Sequence, residues 1–424
     1  MEYKVEYKVE YIRSKDLCLL IRDTFKLMDR RLMDHGSRTA YIFYKMLECK
    51  GGYEKFELAD LMVLATLHDI GAYKTDNIGD LLRFESRDYM PHSIYGYLFL
   101  KYLSPLKAQS KILLYHHIDY DKMDKLEYEF KKETSYLSLA EKTDIYHNAL
   151  GSKFDPAMFD KYVDTKFSRE SLELLAKAIK EYDIFEKIKT EEYQKDLDEL
   201  LEFVLFNDDE KQKYLEMLMY CIGFRNADSV VDTVTTICVC KEIGRLLLVS
   251  KDEMDLLYYG SLLHDLGMLA IPKSIIQAAR KLTKEEQEIM RRHVELEEKI
   301  LRNRIHQEVV DIAVSHHERG DGSGYPKKLK DFQMNQLQGI LQVADTVTGL
   351  TNKRNYREPR TKDEVILILQ NDADRKKLNK EVVNAMVTFY DEIMDVVKIE
   401  KDKILSMHTK LHDKFEQVHR NFTN

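Results

Sequence analysis

Nine of the chain's fourteen histidines fall into two ordered sets that also hold aspartates. In the first half the order is His35, His68-Asp69, His92, His116-His117 and Asp144; in the second it is Asp232, His264-Asp265, His293, His316-His317 and Asp345. Any one of these histidines alone reads as a hydrogen-bonded packing residue. Repeated in one order, with a His-Asp pair closing one apolar stretch and a His-His pair closing another, they supply what a two-ion centre needs. Neutral imidazole and anionic carboxylate together suit iron, manganese or zinc. The carboxylate next to His264 can bridge two ions about 3.5–4 Å apart, a spacing suited to clamping a hydroxide that attacks phosphorus in line.

Flanking text repeats too: LATLHDIG against GSLLHDLG, and LLYHHID against AVSHHER. Only the second half continues into HHERGDGSGYP, residues 316–326, in a chain with just 16 Gly and 6 Pro. Gly320, Gly322 and Gly324 are expected to take turns with positive φ, and Tyr325-Pro326 to fix the exit of the loop. The first half has HHIDYDKM at the matching place, and HNALGSKFDP after Asp144.

Helical elements must position these residues. Few Gly and Pro, 44% apolar residues and the 3.6-residue periodicity of stretches such as LCLLIRDTFKLM predict an all-α chain, and 424 residues are too many for one ordinary core. The repeat divides the chain into residues 1–206, with linker helices between about 164 and 206, and residues 207–424, with a helical C-terminal extension. FNDDEKQKY looks like the break between them. The opening EYKVEYKVEY alternates as a short strand would, and His408, His412 and His419 are expected on a solvated face. Five cysteines without a C-x-x-C pair read as packing residues. A net charge of −8 argues against binding a nucleic acid polymer, while a local basic pocket for one small phosphate ligand stays compatible with it. No apolar run is long enough for a bilayer and the leader is charged, so a cytoplasmic protein without a membrane partner is expected.

His264-Asp265 within LLHDLGMLAIP, followed by HHERGDGSGYP, resembles the HD-GYP branch of the HD superfamily of metal-dependent phosphohydrolases, over about residues 210–390. A looser HD resemblance covers about 16–165. The resemblance implies two tandem all-helical domains, two or three divalent ions in the second, iron or manganese foremost, and hydrolysis of cyclic di-GMP or a related cyclic dinucleotide. His264, Asp265, His293, His316, His317 and Asp345 fall on its ligand positions, with Asp265 as the bridge. Asp232 stands where the family has histidine, and Asp228, one turn earlier, where members with a third ion have glutamate; both are kept as ligands. For Asp228, capping of a helix that begins at Ser229 explains the residue equally well. NKRNYREPR matches a phosphate-gripping segment, which gives Arg354 and Arg357 that role, suited to the planar guanidinium fork. The loop with Tyr325 is expected at the site mouth, where it touches substrate and offers a face to a diguanylate cyclase; a homodimer is a further candidate. His35, His68, Asp69, His92, His116, His117 and Asp144 are expected to form a separate metal site without the cyclic dinucleotide loop.

Two departures bear on activity. Met268 replaces the lysine of the family's HDxGK, and removing one preorganised charge of that kind costs about 3 kcal/mol of transition-state stabilisation, roughly a hundredfold in rate. Thr348 stands where an aspartate is common. Two other functions therefore stay open beside the phosphodiesterase: a catalytically weak module that senses the dinucleotide or a partner protein, and an HD phosphohydrolase acting on another nucleotide.

Overall fold

A computed structural model describes residues 11–75, 90–123, 125–225, 227–353 and 357–423. Among these residues there are helices and isolated bridges but no strand, so the chain is all-α. The strand-like 1–10 segment lies outside the described residues. No described helix is long and apolar enough to cross a membrane.

The chain forms two compact units, one of Ile21–Tyr214 with Leu411–Asn424 (the first unit) and one of Leu215–Lys410 with Met1–Leu20 (the second unit). Sequence reasoning places one boundary at 206/207; the units instead exchange their terminal segments. In the second unit the His306 amide donates to the Tyr11 carbonyl at 3.0 Å, and the Tyr11 ring packs on His306 and Tyr259. In the first unit Leu411, Phe415, Val418 and Phe422 pack on a buried cluster of Ile94, Tyr97, Leu98 and Leu114, with Phe415 stacked 4.2 Å from Tyr95. Full burial of such a side chain contributes about 1.5–3 kcal/mol, and these partly buried ones correspondingly less. Of the late histidines expected on a solvated face, His412 is exposed, His419 is half-buried and stacks on Phe415, and the side chain of His408 lies outside the described residues.

Local sequence starts the helices that matter. Glu54 with Glu57, Ser250 with Glu253, Thr283 with Glu286 and Asn335 with Gln338 form capping boxes before Lys55–Thr66, Lys251–Leu263, Lys284–Leu301 and Gln336–Thr351. Asp29 caps Arg30–Lys50 by accepting from the amides of Arg31 and Leu32. Three of the chemical residues then neighbour a fully buried apolar one: Leu263 precedes His264, Val294 follows His293 and Ala344 precedes Asp345. Three helices, Arg169–Tyr182, Ile184–Lys189 and Tyr193–Leu200, occupy the stretch expected to carry linker helices.

One close approach recurs in both units. A Cβ at Gly71 would overlap the carbonyl oxygen of His92, and a Cβ at Gly267 that of His293. Glycine two residues after each His-Asp pair therefore lets the turn press onto the next histidine helix, which brings Asp69 to His92 and Asp265 to His293.

Candidate metal centre

In the second unit three imidazoles close on one carboxylate, Asp265, and a fourth faces Asp345. His264 caps Lys251–Leu263, His293 sits within Lys284–Leu301, and His316 follows Gln307–Ala313. Asp265 Oδ2 lies 3.6 Å from His264 Nε2, while Oδ1 lies 3.7 Å from His293 Nε2 and 4.0 Å from His316 Nε2. The two oxygens thus address different imidazoles. His317 Nδ1 faces Asp345 Oδ2 at 3.6 Å.

Hydrogen bonding fixes what these rings present. His264, His293 and His316 each turn Nδ1 to the backbone carbonyl three residues earlier, at 2.7, 2.6 and 2.6 Å. A carbonyl only accepts, so Nδ1 carries the proton and Nε2 a lone pair. Burial, reinforced by neighbouring imidazoles, pushes His316 and His317 well below the ordinary histidine range, and burial also lowers His293. Neutral rings follow. His293 Nε2 and His316 Nε2 then stand 3.2 Å apart with lone pairs facing, a contact that two acceptors cannot satisfy and a shared cation can. His293, His316 and His317 could hold one ion among them. The donor set, imidazole with carboxylate, fits divalent iron, manganese or zinc. Asp265, His317 and Asp345 keep 26%, 25% and 21% of their side-chain surface, so solvent reaches the cluster.

The glycine-rich loop is tied by a residue that sequence reasoning passed over. Glu318 is buried, and its two carboxylate oxygens accept from the amides of Lys327 at 2.6 Å and Leu329 at 2.8 Å. The Tyr325 amide donates to the His317 carbonyl, and the Tyr325 ring lies 4.7 Å from His317 with the Arg291 guanidinium 5.0 Å above it. Of the three loop glycines expected at positive φ, only Gly322 has it, at 82°. Gly320 and Gly324 are needed for close approach instead: a Cβ would meet the Lys376 carbonyl oxygen at 2.6 Å in one case and overlap the Arg319 amide in the other.

Asp232 accepts from Asn352 Nδ2 at 2.7 Å and belongs to none of the groups of converging ligand atoms among the described residues. The side chain of Asp228 and the whole of Arg354 lie outside the described residues. Arg357 is half-buried, and its Nη2 donates to the Gly349 carbonyl. Met268 is half-buried in the short helix Leu266–Ala270. Thr348 is buried and shares a hydrogen bond with Thr236 at 2.8 Å.

The first unit gathers a matching cluster. Asp69 Oδ2 lies 3.4 Å from His68 Nε2 and 3.9 Å from His35 Nε2; Oδ1 lies 3.4 Å from His92 and 3.9 Å from His116. Asp69, His92, His116 and His117 could hold one ion. Asp144, expected among the ligands, is engaged otherwise: Arg38 donates to both its oxygens, at 2.6 and 3.0 Å, and His35 Nδ1 sits 2.6 Å from Oδ2. Its place toward the cluster is taken by Glu141, one turn earlier on Lys131–Leu150, whose Oε2 faces His117 Nδ1 at 3.5 Å and His116 Nε2 at 3.8 Å. The signal for Glu141 was its i, i+3 relation to Asp144, which puts both carboxylates on one helix face.

Comparison with known proteins places the second cluster in a family context. The HD domain family matches residues 217–382. The chain is 32% identical over 185 residues to the 3'3'-cGAMP-specific phosphodiesterase 2 of Vibrio cholerae, covering 36% of this chain and 35% of that one. It is 31% identical over 205 residues to the cyclic di-GMP phosphodiesterase of Thermotoga maritima, covering 48% and 55%. These matches span between a third and just over half of those relatives' lengths. The 3'3'-cGAMP-specific phosphodiesterase 1 of Vibrio cholerae is 23% identical, over 84% of this chain and 86% of that one. A crystal structure of the cyclic GMP-AMP specific phosphodiesterase V-cGAP3 from V. cholerae aligns with a TM-score of 0.59 at 14% identity, covering 90% of this chain and 98% of that one. That likeness is one of fold.

Proposed function

With residues 217–382 an HD domain, we propose that the second unit hydrolyses a phosphodiester bond of a cyclic dinucleotide, cyclic di-GMP or a relative such as 3'3'-cGAMP. The observation that carries this reading is the division of the Asp265 oxygens between His264 on one side and His293 with His316 on the other, at a place solvent can enter. Relatives named as phosphodiesterases of these dinucleotides support the substrate class. The relative matched over most of both chains is named for 3'3'-cGAMP, which makes that nucleotide the second substrate to assay beside cyclic di-GMP.

His264, Asp265, His293, His316, His317 and Asp345 would hold two ions, with Asp232 and Asp228 extending the set. Divalent ions bound there supply a hydroxide at neutral pH and neutralise charge on the phosphoryl oxygens. The chain does the positioning. Backbone carbonyls hold the imidazoles in one tautomer and orientation, so no rotation is needed when substrate arrives. Arg357, with Arg354, would pair phosphate oxygens; a guanidinium has five donors, and the bond from Arg357 to Gly349 uses one Nη2 donor. Tyr325, held between His317 and Arg291, would line the substrate's approach. The same loop is the surface on which we place contact with a diguanylate cyclase.

Met268 favours a second reading, in which the dinucleotide is bound and only slowly opened. Anaerobically purified protein, incubated with each dinucleotide and Fe²⁺ or Mn²⁺, separates the two. Linear dinucleotide or mononucleotide from the unaltered chain, absent with Asp265→Asn, is the expected result. Binding of either dinucleotide by folded, metal-loaded protein without any product would replace the phosphodiesterase by a sensor.

A further inference from the structure

We propose that Lys401 and Asn352 are positioning residues of the second unit: together they orient Asp232, and Lys401 does so from outside the HD domain. Lys401 Nζ donates to Asn352 Oδ1, and Asn352 Nδ2 donates to Asp232 Oδ1 at 2.7 Å and to Thr235 Oγ1 at 3.3 Å. The ends of this relay fix its direction. An ammonium only donates and a carboxylate only accepts, so the amide between them has one orientation. Asn352 is buried at the end of Gln336–Thr351, the helix that carries Asp345, and its backbone amide donates to the Thr348 carbonyl at 3.1 Å. Lys401 stands in Tyr390–Thr423, beyond the matched residues 217–382. It follows Ile393 and Val397 at four-residue steps on one helix face, and both of those are buried. Burial draws the Lys401 ammonium below the ordinary lysine range, opposed by the charge of Asp232.

The first unit shows why the relay is needed. Its matching position is His35, whose Nδ1 meets Asp144 Oδ2 at 2.6 Å, while Arg38 donates to both oxygens of Asp144. There a ring N–H is oriented by an acceptor with a cation behind it. Asp232 turns the first group from a donor into an acceptor, which a facing carboxylate would repel. An amide donates instead, and the ammonium on its oxygen polarises it and strengthens the bond it gives. Both units thus set a cation, a bridging group and the residue at the first position in one order, and the bridge changes polarity to suit that residue. The exchange of imidazole for carboxylate at Asp232 comes with matched partners, one of them from a helix outside the domain. This inference deepens the hydrolytic reading of the second unit and rests on it. Groups that orient a ligand in this way are typically worth about tenfold to a hundredfold in ion affinity or activity.

The test uses the full chain and two readouts, dinucleotide turnover and Mn²⁺ titration followed by electron paramagnetic resonance, with an Asp265→Ala chain as the baseline for ions held elsewhere. Lys401→Met is expected to lower kcat by about tenfold to a hundredfold with KM little changed, and to weaken Mn²⁺ binding by a similar factor, while Lys401→Arg keeps most of both. Asn352→Ala gives the same reading if Lys401→Met does not fold. Asp232→His alone is expected to lose Mn²⁺ affinity, because an imidazole then meets an amide donor; adding Asn352→Asp, which restores the acceptor that His35 has, is expected to recover most of it. A residue that only pins its helix would lower the melting temperature of Lys401→Met and leave kcat and Mn²⁺ affinity of the folded protein as they were, and that result overturns the proposal. Equal losses from Lys401→Arg and Lys401→Met overturn it too. Should the unaltered chain open no dinucleotide, the phosphodiesterase reading falls and the Mn²⁺ titrations alone decide this one, so the two failures are distinguishable.

Discussion

The two units carry the same frame of histidines and differ in what surrounds it. Three matched positions account for much of the difference. Three residues after His35 stands Arg38, which clamps Asp144; three after Asp232 stands Thr235, and Asp345 faces His317. Three before Asp144 stands Glu141; three before Asp345 stands Gln342, whose Nε2 donates to the Ser315 carbonyl. Four after His92 stands Gly96, and four after His293 stands Glu297, fully buried with both oxygens unpaired. One frame can thus be sealed around its donors or left open on one side, by changing residues one turn away from the donors themselves.

The largest expected effect sets the units against each other directly. Asp265→Asn should lower dinucleotide hydrolysis on the order of 10³-fold, measured by product chromatography, because the shared carboxylate is lost. Asp69→Asn should leave product formation measurable and lower the melting temperature; equal loss of turnover from both would break the comparison. Met268→Lys comes next, with a rate gain of roughly a hundredfold if a cation beside the scissile phosphate is what the second unit lacks. No gain in kcat would mean that charge is supplied from elsewhere.

Stability predictions are smaller. Glu318→Ala leaves two amides in the loop without their acceptor and should cost about 3 kcal/mol by urea denaturation, with no counterpart in HHIDYDKM of the first unit. In metal-free protein the His116 imidazole is depressed from 6.5 to about 4, mainly by burial. The unfolded chain therefore binds more protons in that window, so stability is retained above pH 6.5 and falls as pH drops toward 4, by about 3 kcal/mol for that one group. Melting curves with and without metal across this range would show it. Glu297 has the opposite sign: burial, then the charge of Asp265, raises its carboxyl well above 4.5. Its contribution is complete below pH 4.5 and lost as pH rises through the raised value. Glu297→Gln should stabilise the second unit at pH 8 and leave its stability unchanged at pH 4, as read by melting curves at the two pH values.

Much of this was legible in the sequence because metal chemistry needs particular side chains in a particular order. His264-Asp265, His293 and His316-His317 converge from three separate helical segments, as their repeat predicts. What escaped detection is reached through space. Arg38 reads as a surface charge until Asp144 is found against it, 106 residues away. Glu141 sits in AEKTD, a stretch that looks solvated, although the YLSL before it hinted at burial. Glu318 looked like one more polar residue in a loop. Gly320 and Gly324 show why glycine is ambiguous in a sequence: it serves unusual dihedral angles and tight contacts equally, and only the fold separates the two. The terminal segments carry no site residue, so the repeat could not assign them to units.

The Glu318 clasp has a consequence for ligand recognition. A glycine-rich segment free in solution would surrender a large conformational entropy on ordering around any ligand. Here the backbone from His317 to Leu329 is already tied to an internal carboxylate, so that loss is taken during folding. A molecule arriving at Tyr325 meets a preformed surface and keeps more of its contact energy as affinity.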